Sequence, residues 1–199
     1  MSVAFRNLCV ESPRRALVAI SLVGFAPTLS VLMTLLVIDG ELASQVFFIL
    51  CKAWILLVPT YWFLRLERNP LSWSFSDKNG IFEGVATGLA MSAVILLVWI
   101  ALGDSIDTEP MVEQLQNTGL NGIEVYVAGM FYWIFLNSLL EEYVFRWFIT
   151  VKGVELTGSE LGGIVVSALM FTLHHALALY LFGFEWWQTG IACFGLISA

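Results

Sequence analysis

An all-α, polytopic bundle of transmembrane helices is the fold class this sequence predicts, on three observations. Of 199 residues, 59% are hydrophobic and only 13% are charged, against about 45–50% and about 25% in soluble domains. Five stretches are apolar over a length that crosses a bilayer, which takes about 20 residues. The connections between them alternate between basic and acidic, the charge pattern of chains that cross a membrane repeatedly. The same composition excludes other classes. A formal net charge of -7 offers no basic surface, so no nucleic-acid partner is expected. Cys9, Cys51 and Cys193 lack C-x-x-C spacing, which suggests neither a disulfide framework nor a zinc knuckle.

The first stretch, 16–38, holds no charged residue. Arg6, Arg14 and Arg15 precede it, but its 23 residues exceed the about 7–15 of a cleavable signal's apolar region, so it reads as a retained span. The second, 42–64, is interrupted by Lys52, for which snorkelling or helix packing is the expected use. The third, 81–102, has Glu83 near its start, and the fourth, 123–150, contains Glu141, Glu142 and Arg146. The fifth, 161–183, carries His174 and His175, the only histidines. A sixth apolar stretch, 187–199, has 13 residues, too few to cross, and reads as a span continuing past Ala199.

Charge gives the expected orientation. Arg6, Arg14 and Arg15, then Arg65, Arg68 and Lys78, then Lys152 all fall on one side. The alternate connections carry Asp39, Glu41, Asp104, Asp107, Glu109, Glu113 and Glu185, with no Lys or Arg. Basic residues mark the cytoplasmic side, so the N-terminus is expected there, and the bilayer is the cell membrane if the chain is prokaryotic. Trp62, Trp73, Trp99, Trp147, Trp186 and Trp187 lie near span ends and suit interfacial anchoring. Residues 113–116 suit a short interfacial helix. With no internal repeat or Ser/Pro-rich linker, 1–199 reads as one membrane domain.

Ionisable side chains inside spans carry the functional signal, because each costs at least about 2.5–3.5 kcal/mol at the bilayer centre. Glu142 and Arg146 stand four apart and share a helix face, while Glu141 lies about 100° away. Arg146 therefore neutralises one carboxylate and leaves the other for general acid–base work. Asn137, one turn earlier, is placed to line the same cavity. His175 on the next span is the expected partner, and His174 its hydrogen-bonding neighbour. Counted from the expected cytoplasmic ends, Glu141 lies about 13 Å deep and His175 about 21 Å. That mismatch of about 8 Å is within reach of tilt and boundary shifts.

Glu-Glu-x-x-x-Arg (Glu141, Glu142, Arg146), followed one span later by Phe-x-x-x-His (Phe171, His175), resembles the first two motifs of the CPBP family. Its members are the CAAX prenyl protease type 2 and bacteriocin-processing enzymes, also called Abi-family intramembrane metalloproteases. The resemblance covers about residues 123–199. It implies that Glu141 activates water with help from His175, that Glu142 and Arg146 orient the site, and that Phe171 packs on the helix presenting His175. The substrates it implies are membrane-bound peptides or proteins, including prenylated CAAX-type ones. The family's third motif, a His followed four residues later by Asn or another polar residue, has no counterpart, since no histidine follows His175. A fragment, or a member without hydrolytic activity, is therefore expected. Glu and His are also plausible zinc ligands, but no H-E-x-x-H is present, and the metal is left open. A non-catalytic scaffold or immunity protein of the same fold and a proton-coupled transporter are the alternatives.

Overall fold

Backbone groups in hydrocarbon must find hydrogen-bond partners within their own segment, so long apolar runs become helices. A computed structural model describes residues 12–70, 78–109, 112–113, 116 and 122–198. Five of its helices are long and apolar enough to cross a membrane: α1 (Pro13–Val37), α2 (Leu42–Leu66), α3 (Gly80–Ser105), α4 (Ile123–Thr157) and α5 (Glu160–Leu181). A shorter α6 spans Trp186–Ser198. Among the described residues there is no strand. The chain is a multi-pass, all-α membrane protein. Arg6, Cys9, Trp73 and residues 114–115 of the expected interfacial helix lie outside the described residues.

The packed centre lies where α1, α2, α4 and α5 meet. Ala19, Val23 and Ala26 of α1 and Ile55 and Trp62 of α2 close on Val144, Phe145, Phe148 and Ile149 of α4, with Val166, Met170 and Phe171 of α5 against them. Trp62 is therefore a core residue, not the interfacial anchor its position suggested. By contrast, residues 81–101 of α3 are all exposed. The Tyr143 hydroxyl ties α4 to α2, lying 2.7 Å from the Thr60 hydroxyl and donating to the Leu56 carbonyl at 3.2 Å.

One boundary departs from expectation in a way that matters. α4 continues to Thr157, seven residues beyond the end expected at 150. Lys152, counted from sequence as a residue after the span, lies within the helix and is 1% exposed. Its ammonium donates to Glu67, just beyond α2, and to Glu155 at 2.9 Å. Thr157 is followed by Gly158 at φ 73, the left-handed geometry that ends helices on glycine. The Ser159 hydroxyl then accepts from the Gly162 N–H and caps α5.

That two-residue turn lays α5 antiparallel along α4, and glycine sets their spacing. A Cβ on Gly163 would lie 2.5 Å from Val154 Cγ2 and 2.7 Å from the Thr150 carbonyl oxygen. Small residues at such a crossing let backbones touch, as in other membrane helix pairs. Deeper along the pair, the buried Ser167 hydroxyl donates to the Phe145 carbonyl at 2.6 Å.

Candidate functional site

Glu141 closes a single α-helical turn, Ser138–Glu141. Wider π-helical segments, Tyr132–Asn137 and Glu142–Ile149, flank that turn. Such departures recur at functional positions in helices. Depth along the hairpin is now counted from its shared turn. Glu141 stands sixteen residues before Thr157 and His175 fifteen after Glu160, so the two lie at nearly the same depth. The mismatch inferred from sequence disappears because α4 is longer than its apolar run.

The carboxylate and both imidazoles converge. One ligating atom from each of Glu141, His174 and His175 lies within 4.8 Å of the other two. His174 Nε2 is 4.0 Å from Glu141 Oε1. His174, expected only as a neighbour of the working histidine, is thus a full member of the cluster and is 7% exposed. Adjacent residues on α5 can both take part because their rings lean together, with centroids 4.0 Å apart. Phe145 stacks on His174 at 5.3 Å with 11° between the planes. Phe171 packs against His175 at 4.4 Å and against Phe145 at 5.1 Å.

Backbone contacts set the chemistry of the two rings. Nδ1 of His175 meets the Phe171 carbonyl at 2.9 Å, and Nδ1 of His174 meets the Met170 carbonyl at 3.4 Å. A carbonyl only accepts, so each Nδ1 carries the hydrogen and each neutral ring keeps a lone pair on Nε2. The His174 lone pair faces a carboxylate that is also an acceptor. Two acceptors 4.0 Å apart suit a third group between them that brings hydrogens or positive charge, such as a water molecule. The same donor set, one carboxylate and two imidazoles with Nδ1 tied to carbonyls, also fits a divalent ion such as zinc.

Glu142 and Arg146 stand apart from this cluster. They pair at 3.2 Å with side chains 55% and 66% exposed, so the two carboxylates of the Glu-Glu pair face different surroundings. Asn137, by contrast, is buried, and its amide nitrogen donates to Glu141 Oε1 at 2.7 Å. Lys52, for which the sequence suggested snorkelling or helix packing, donates from its ammonium to Asn137 Oδ1 and so joins α2 to the site, a connection sequence reasoning missed. Its signal was an unneutralised cation in the middle of a span. Tyr132, which interacts electrostatically with Glu141, carried no comparable signal. No family model matches the chain, and neither a curated protein nor a solved structure matches it.

Proposed function

We propose that this chain is an intramembrane endopeptidase of the CPBP type, hydrolysing peptide bonds of membrane-bound substrates. The observation that carries this reading is the convergence of Glu141 with His174 and His175 inside a helix bundle. The order of the two sequence motifs supports it independently. In the proposed reaction Glu141 removes a proton from water as the water oxygen bonds to the peptide carbonyl carbon. The tetrahedral intermediate then collapses, the C–N bond breaks, and the proton on Glu141 passes to the departing amine. His174 and His175 hold the water through their Nε2 lone pairs, and Phe145 and Phe171 fix the rings. Where a divalent ion such as zinc is bound, Glu141, His174 and His175 would hold it, and it would supply water activation and carbonyl polarisation.

Glu142 and Arg146 support the helix carrying Glu141, on its exposed side. The N-terminus is assigned to the cytoplasm, following the basic connections, and the bilayer to the cell membrane in a prokaryote. Prenylated CAAX-type peptides are the first substrates to try.

The test is cleavage of an internally quenched, farnesylated CAAX peptide by the full chain in phosphatidylcholine liposomes. Glu141→Gln and His175→Ala are expected to lower kcat at least about 100-fold, in the range of general acid–base contributions, with insertion unchanged. Turnover like that of the wild type in either variant overturns the assignment.

A further inference from the structure

We infer that Lys52 is a positioning residue for Glu141, acting from α2 through Asn137. Lys52 sits in the middle of a span, where a cation needs a partner. Its stem passes Phe48, with Nζ 5.2 Å from the ring centroid, and its ammonium donates to Asn137 Oδ1. Asn137 in turn donates from Nδ2 to Glu141 Oε1 at 2.7 Å. An ammonium only donates and a carboxylate only accepts, whereas a carboxamide does both at opposite corners. Lys52 therefore dictates which way the amide faces: the oxygen is claimed from α2, so the NH2 group points to Glu141. Turned the other way, the amide would present an oxygen to the carboxylate and repel it.

Both Asn137 and His174 approach Oε1 of Glu141, so the relay ends on the oxygen that faces the imidazole. Lys52 also interacts electrostatically with Glu141 and with His174. The assignment gives α2 a part in a site whose other members all lie on α4 and α5. Its importance for turnover rests on the endopeptidase reading, whereas the relay geometry does not.

The two histidines are built-in reporters, being the only ones in the chain. The experiment records histidine ring-nitrogen spectra of the full chain, nitrogen-15 labelled at histidine, in detergent micelles. In Glu141→Gln the His174 signals are expected to move by more than a linewidth. In Lys52→Met they are expected to move the same way, and in Lys52→Arg to return to the wild-type positions. Lys52→Gln replaces Lys52→Met if the latter unfolds. His174 signals that shift in Glu141→Gln but stay put without the ammonium overturn the relay; so does a Lys52→Met shift that persists in full in an Asn137→Ala background, since the direct field of the ammonium on His174 does not pass through the amide. Signals indifferent to Glu141→Gln overturn the cluster itself.

Turnover of the farnesylated peptide gives the second readout. Lys52→Met is expected to lose about 10- to 100-fold in kcat, as misplaced catalytic groups do, with KM within about twofold and with recovery in Lys52→Arg. An unchanged kcat overturns the positioning role. Failure of the wild type to cleave overturns the endopeptidase reading, and the histidine spectra still decide the relay.

Discussion

Lys152→Met removes the ammonium that separates two carboxylates at the α2–α4 end of the bundle. Lys152 is 1% exposed, and the Glu67 and Glu155 side chains are each 8% exposed, so water cannot replace the lost partner. Deleting one member of a buried ion pair costs about 3–5 kcal/mol. Asn69 still donates to Glu67 Oε2 at 2.8 Å, which places the expected loss near the lower end, about 3 kcal/mol. That corresponds to a change of about 100-fold or somewhat more in the folding equilibrium. The assay is reversible unfolding of the purified chain by SDS titration in mild micelles. The triple variant Lys152→Met, Glu67→Gln, Glu155→Gln removes all three charges and should recover most of the loss, since neutral replacements of buried ion clusters are often tolerated. A single variant within about 0.5 kcal/mol of wild type, the range of ordinary surface substitutions, would refute the reasoning. So would a triple variant no better than the single.

Gly163→Ala should destabilise the α4–α5 pair by about 1–3 kcal/mol, the usual cost of overpacking, because the new Cβ meets backbone at Thr150 and Val154; the same unfolding titration reads it. Gly158→Ala forces a side chain into a left-handed turn at φ 73 and should cost about 1–2 kcal/mol by the same measurement. Ser167→Ala deletes a buried interhelical bond to the Phe145 carbonyl and should cost about 0.6 kcal/mol, the membrane-protein average. Tyr143→Phe should cost no more than that, since Thr60 keeps its own bond to the Leu56 carbonyl at 2.7 Å.

The spans were legible because hydrocarbon imposes one rule on every segment, so apolar length alone locates α1, α2, α3 and α5 to within a few residues. α4 broke the rule at its far end. Residues 151–157 contain Lys152 and Glu155 and read as a connection, yet Lys152 is neutralised inside the bundle by Glu67, 85 positions away. Pairing over that distance leaves no local trace. The separation of Glu142 from Glu141 was legible, because an i,i+4 partner in Arg146 is a local relation. The participation of His174 was not. On an ideal helix it points about 100° from His175, and only ring tilt, set by stacking on Phe145 from another helix, brings both to one place. Lys52 was visible as an anomaly, but its partner lies on α4.

The wide turns of α4 explain how one helix can serve core and site along a single line. Asn137, Phe145, Ile149 and Gly153 are buried, Glu141 is partly so, and they follow one another at intervals of four. A second buried row, Val144, Phe148 and Lys152, runs beside it at the same interval. On an ideal α-helix a row of that interval drifts about 40° at each step. Over the sixteen residues from Asn137 to Gly153 it would wind nearly halfway round, taking Glu141 out of line with the packing at Ile149. Segments closed by i→i+5 bonds turn less per residue and drift the opposite way. The π-helical Tyr132–Asn137 and Glu142–Ile149 thus cancel the drift of the α-helical parts, and the row stays straight against α5. The geometry that fits Gly153 to Gly163 at one end of the hairpin is then the same one that brings Glu141 to His174 and His175 deeper in, and Asn137 within reach of Lys52.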